Sequence, residues 1–148
     1  TSGFFYRRVR QAKPIGRFED GELGELEELV VHGLSREFQE TDDPGASLPA
    51  RVLNMLRECR GRLARLAADW IRVSYYQGNF DSDNCAVGGQ TLNYGPFGFA
   101  EKCDPDYQPW VGGGEDYASM NVHNAMCRNF QSLCQALVPL VEGKEGGV

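Results

Sequence analysis

Gly78-Asn79-Phe80-Asp81-Ser82-Asp83-Asn84, followed by Asn93-Tyr94-Gly95-Pro96-Phe97-Gly98-Phe99, is the part of the chain from which the rest is read. The first stretch sets an Asp-Asn pair, Asp83-Asn84, on a polar loop. A short apolar stretch broken by Gly88-Gly89 follows, and a further polar residue, Asn93, then precedes Tyr-Gly. This is the layout of a phosphate site with a base and one metal ligand on a loop, a small hairpin, and a second metal ligand at the strand end. Chemistry on phosphates suits it because the protein mainly positions groups and neutralises charge. Magnesium takes hard oxygen ligands, so they must converge from separate loops.

Upstream of the loop, Val52, Leu56, Cys59, Leu63, Leu66, Trp70 and Val73 recur at alternating helical steps, while Arg51, Arg57, Arg62, Arg65 and Arg72 fall off that stripe. The spacing predicts a buried central helix reaching to about Tyr75. Ser47 stands as its cap, with Pro49 in the first turn, where a missing N–H costs least. A shorter helix is expected over 23–34, ended near Gly33, and Asp42-Asp43-Pro44-Gly45 reads as a loop. Downstream, the pattern predicts a strand at 85–87, a turn at Gly88-Gly89 and a strand near 90–92. A loop-like stretch over 96–114 follows, then a last helix over 122–141 carrying Met126, Phe130, Leu133, Leu137 and Leu140. The tail 143–148 is expected to fray.

With 148 residues the chain suits one domain, able to bury about 68–70% of the surface its unfolded form exposes. At 41% hydrophobic and 24% charged it falls in the soluble globular class. No apolar run approaches the roughly 18 residues of a membrane span, so no membrane partner is expected. The formal charge of -6 argues against a dedicated nucleic-acid partner. A basic start (Arg7, Arg8, Arg10, Lys13, Arg17) and an acidic stretch from Glu19 to Asp43 read as solvated faces. The five cysteines are odd in number and never spaced as CxxC. They are expected to be reduced thiols acting as small hydrophobes. His32 and His123 have no paired Cys at zinc-ligand spacing. Gly112-Gly113-Gly114 runs into Glu115-Asp116 rather than Lys-Ser/Thr, so it reads as a surface loop and not a phosphate loop. The chain opens at Thr1 with no readable targeting segment, and an incomplete sequence is the expectation.

The run from Trp70 through Leu137 resembles the selenoprotein O family, kinase-fold enzymes that transfer AMP to protein hydroxyls. The resemblance rests on Gln77 to Cys85, on Gly89-Gln90-Thr91-Leu92-Asn93-Tyr94-Gly95-Pro96-Phe97-Gly98-Phe99, and on Asp104-Pro105-Asp106-Tyr107. The preceding Arg62-Leu63-Ala64-Arg65-Leu66-Ala67-Ala68-Asp69-Trp70 is also similar to a family segment. Weaker echoes lie at Arg8-Val9, at Gly16-Arg17-Phe18-Glu19 and from Asn129-Phe130 to Leu137.

The resemblance implies a mainly α fold with a small β-hairpin, the C-terminal lobe of a protein-kinase-like domain. Residues 1–148 would form a partial domain lacking its N-terminal lobe. It further implies Asp83 as general base, Asn84 and Asn93 as magnesium ligands, and Arg8 and Asn93 as residues binding ATP. The implied substrates are ATP and the Ser, Thr or Tyr hydroxyls of proteins. Relatives are mitochondrial in eukaryotes and cytoplasmic in bacteria. The residue types suit these roles: a loop carboxylate can take a hydroxyl proton, an amide oxygen can ligate magnesium, and a guanidinium fork fits phosphate.

The chain departs from the family pattern at Asn93, where the family has Asp, at Asp81, where it has Asn, and at Gln77, where it has His. A neutral Asn93 weakens metal binding, and Asp81 is a candidate to restore the charge. The alternative is a catalytically dead pseudokinase fragment acting as a binding remnant; ordinary phosphoryl transfer by the same site is a third reading.

Overall fold

Leu26, Val30, Leu34 and Phe38 recur every fourth residue, and all four are buried. In the structure, a computed structural model describing residues 22–92, 95–108 and 116–142, they carry helix α1 over Glu22–Glu37. The helix therefore runs through Gly33 instead of ending there. A glycine inside a helix costs about 1 kcal/mol, whereas burying Leu34 and Phe38 returns roughly 1.5–3 kcal/mol each. Arg62 marks the observed end: its Nη1 donates to the Glu37 carbonyl at 2.8 Å, and its guanidinium lies 4.8 Å from the Phe38 ring centre. A cation satisfying a last-turn carbonyl also complements the helix dipole.

Helix α2 spans Leu48–Arg72. Ser47 precedes it in extended conformation, but its hydroxyl makes no capping bond. Its buried face is Val52, Met55, Cys59, Leu63, Ala67 and Trp70. Of the expected stripe, Leu56 and Leu66 are only partly buried, and Val73 is 40% exposed. A straight helix drifts by about 20° per heptad against a strict seven-residue repeat. Over the length of α2 that drift brings Ala67 inward and carries Val73 out, while Met55, beside Val52 in the first turns, widens the buried face at its start. The helix also stops short of Tyr75, because Ser74 takes a left-handed φ of 54°. Amide bonds from Val73 to Asp69 O and from Ser74 to Ile71 O close the last turn.

Tyr75 instead opens strand β1 (Tyr75–Gln77), which pairs antiparallel with β2 (Phe97–Phe99) in the register Tyr75–Phe99, Tyr76–Gly98, Gln77–Phe97. Both strand assignments made from sequence need correction. Residues 85–87 and 90–92 form no strand, and 97–99, taken as loop, does. The turn centres on Val87-Gly88, closed by Gly89 N to Ala86 O at 3.0 Å, and neither central residue has the positive φ that tight hairpin turns need. Gln90 and Thr91 are drawn to side chains elsewhere: Gln90 Nε2 donates to Glu37 and Thr91 Oγ1 accepts from Trp70 Nε1.

A 3-10 turn at Ser119–Asn121 leads into α3 (Val122–Glu142), close to the expected helix. Val122, Ala125, Met126, Asn129, Leu133, Ala136, Leu137 and Leu140 face inward. The packing of α3 on α2 is the main tertiary contact, with β1 at the C-terminal end of α2. There Trp70 anchors the core as expected, its ring 4.9 Å from Tyr75 and 4.8 Å from Phe80. Among the described residues the architecture is mainly helical with one small antiparallel sheet. The expected tail at 143–148 lies outside those residues.

Candidate functional site

The loop carrying Asp83-Asn84 leaves the hairpin where β1 ends. Gly78 N donates to Pro96 O at 2.7 Å, so the two chain segments stay together one step beyond the strands. Gly95 follows in the left-handed region (φ +72°), and a Cβ there would stand 3.4 Å from the Asn79 Cβ. The motif residues around Asn79 and those around Gly95, distant in sequence, thus meet at the mouth of the hairpin.

Local side-chain chemistry shapes the turn. Asp81 Oδ1 accepts from Asp83 N at 3.0 Å, and Asp81 O accepts from Asn84 N at 3.1 Å. This Asx-type arrangement winds Ser82–Asn84 into a 3-10 turn. Ser82 points inward and is buried; Asp83 is exposed; Asn84 is half-buried. Asn84 Nδ2 donates to Asn79 O at 2.8 Å, which leaves Oδ1 as the other end of its amide. Underneath, Asn129 of α3 donates through Nδ2 to Phe80 O at 3.0 Å and accepts at Oδ1 from Ser82 Oγ at 3.2 Å. Cys85 closes the loop in the interior, its thiol pushed up to about 12 by burial while a bond from Asn129 opposes that shift. Such a thiol is inert at neutral pH.

Of the residues picked from sequence, Asp83 and Asn84 stand together on this turn. Arg8 and Asn93 lie outside the described residues. Asp81, considered as a replacement charge, has one carboxylate oxygen holding the turn. His123 is exposed on α3, in line with a surface role. The thiols are unpaired, Cys59 and Cys85 buried and Cys103 and Cys127 exposed. Among the described residues no group of three or more His, Cys, Asp or Glu side chains could hold a metal ion.

Two residues were not picked out for the site. Asn129 carries a readable signal, a polar residue within an apolar helical stripe. Gln77 is 2% exposed, and neither end of its amide has a hydrogen-bond partner among the described residues. It lines a narrow cleft with Tyr76, Phe80, Tyr117 and Val122.

A helical platform presenting a carboxylate and a carboxamide on one tight turn at a hairpin mouth is the setting in which the comparisons supply a class, that of protein nucleotidyltransferases. A protein from Rhodopirellula baltica named protein nucleotidyltransferase YdiU is 32% identical over 124 residues, covering 81% of this chain and 23% of that protein. The protein of the same name from Salmonella agona is 28% identical over 143 residues, covering 94% of this chain and 26% of the relative. That from Hahella chejuensis is 31% identical over 138 residues, with 86% and 26% covered. The sequence profile of the family "Protein adenylyltransferase SelO" matches residues 17–145, and the chain belongs to that family. It spans about a quarter of the length of the curated relatives it matches.

Proposed function

We propose that this chain carries the catalytic loop of a protein adenylyltransferase, moving AMP from ATP to a Ser, Thr or Tyr hydroxyl of another protein. The observation that carries the reading is the turn at Ser82–Asn84, which exposes Asp83 while its backbone amide is held by Asp81, in a chain of this family. The substrate hydroxyl oxygen attacks the α-phosphorus, the bond to the bridging oxygen breaks, and pyrophosphate leaves. Asp83 takes the hydroxyl proton, a role open to a carboxylate within hydrogen-bond reach. Arg8 and Asn93 belong to the reading as contacts to the nucleotide.

Asn84 suits a magnesium ligand, since the bond from Nδ2 to Asn79 turns an amide oxygen the other way and such an oxygen is a hard, neutral donor. Asn93 is the companion ligand in this reading. When bound, the ion neutralises charge on the phosphates. The partial kinase-like lobe suggested by the resemblance belongs to the same proposal, supported by the order helix, strand, Asp-Asn loop, strand, helix.

A second reading, a binding remnant without transfer, draws support from Asn93, a neutral side chain at the position where the family pattern has Asp. ATP labelled at the α-phosphorus, with ATP labelled at the γ-phosphorus in parallel, separates the readings. Label on a protein product, lost in Asp83→Asn with the fold intact by circular dichroism, is the expected result. Transfer of γ-label only, or of neither, sinks the proposal.

A further inference from the structure

We infer that Asn129 is a positioning residue for the proposed reaction, holding the Asp83-Asn84 turn at a fixed place against α3; the inference rests on the reading of Asp83 as the base. Asn129 is 8% exposed and occupies a core position between Met126 and Leu133. An apolar side chain would bury there without the desolvation cost of an amide, which only well-made hydrogen bonds offset. Both of its side-chain bonds run to the loop, to Phe80 O at 3.0 Å and from Ser82 Oγ at 3.2 Å.

These contacts hold Phe80 and Ser82, the stretch that leads directly into Asp83 and Asn84. The bonds internal to the loop have a different character. Asp81 to Asp83, Asp81 to Asn84 and Asn84 to Asn79 all join residues within five positions of each other. Local bonds set the shape of a turn but not its location. Asn129 reaches the loop across sequence separations of 47 and 49 residues. It therefore converts a correctly shaped turn into a correctly placed one. A misplacement of about 1 Å is enough to cost roughly 100-fold in rate.

The test uses the whole chain with Asn129→Leu, Ser82→Ala and the double variant. Native-state hydrogen exchange is read at the Asp83 and Asn84 amides, both bonded within the turn, and compared with Leu63 in the middle of α2. Asn129→Leu is expected to speed loop exchange about 10-fold or more relative to Leu63, as local opening does. Ser82→Ala should do the same to a smaller degree, and adding it to Asn129→Leu should change little further. Where the wild type transfers AMP, kcat should fall by about 10–100-fold with KM for ATP changed far less. Loop exchange moving only in step with Leu63 in the single variants overturns the inference, as does an unchanged kcat. A wild type without AMP transfer refutes the functional reading alone, and exchange then decides the positioning role. Should Asn129→Leu fail to fold, Ser82→Ala carries the comparison.

Discussion

Replacing Gly89 by alanine sets two penalties against the same small atom. Gly89 has φ +78°, and a residue with a side chain in the left-handed region costs roughly 1–2 kcal/mol. The new Cβ would also lie 2.6 Å from the Arg62 Cβ and 3.2 Å from the Arg62 carbonyl carbon. Those atoms belong to α2 itself, so either the turn or the helix must shift, and overpacking of this kind costs about 1–3 kcal/mol. Together the two give a loss of about 2–5 kcal/mol, or a fall in Tm of roughly 5–15 °C for a chain of this size. Gly88 is the control. Its φ is not positive, and a Cβ there meets Gln90 Oε1 at 2.5 Å and Glu37 Oε2 at 2.6 Å. Those are the ends of flexible side chains that can swing away. Only the Gln90–Glu37 hydrogen bond of 3.3 Å is lost, so Gly88→Ala should cost no more than about 1 kcal/mol. Urea unfolding of both variants under reducing conditions, compared at equal m, measures the difference. Two alanine variants of equal stability would refute the placement of this turn against Arg62.

Asp42 and Arg51 form a two-bond ion pair with both contacts at 2.8 Å, and the hydrogen bond from Arg51 holds the Asp42 carboxyl below the usual carboxylate range. The pair's contribution is fully present above the ordinary value near 3.9 and is lost as pH falls through the lower folded value. Arg51→Met should therefore cost about 1–3 kcal/mol at neutral pH and flatten the acid side of the stability profile; an unchanged profile would contradict this. Cys103 and Cys127 are exposed, whereas burial pushes the Cys59 thiol up to about 12 and Cys85 likewise. A thiol reagent at pH 8 should label the exposed pair quickly and Cys59 and Cys85 only on unfolding, which mass spectrometry under native conditions checks. The raised thiols add stability that is present below about pH 8.5 and declines above it as the pH approaches their folded value.

The helices were legible because each buries one face, and a buried face writes a period into the sequence. The end of α1 is misread at Gly33 when a glycine is given more weight than the apolar stripe, which continues past it through Leu34 to Phe38. Residues 85–92 misled because alternation around a glycine pair resembles a hairpin, while the true strand partners, Tyr75–Gln77 and Phe97–Phe99, are each three residues long. So short a run carries almost no period. Arg62, which ties the end of α1 to α2, and Arg51, which holds the following loop through Asp42, were read only as charges off the apolar stripe, because a charge does not show its partner in one dimension.

What the chain determines by itself is the content of the site: Asp83 beside Asn84, with Asp81 placed two residues earlier to cap the turn through a bond to Asp83 N. Such bonds join near neighbours and depend only on local order and residue type. The position of that turn is decided elsewhere, by Asn129 beneath it and by Gly78 meeting Pro96 beside it. Those contacts close long loops, whose entropic cost is met only when the helices have already packed, so only the assembled core determines where the Asp83 carboxylate stands.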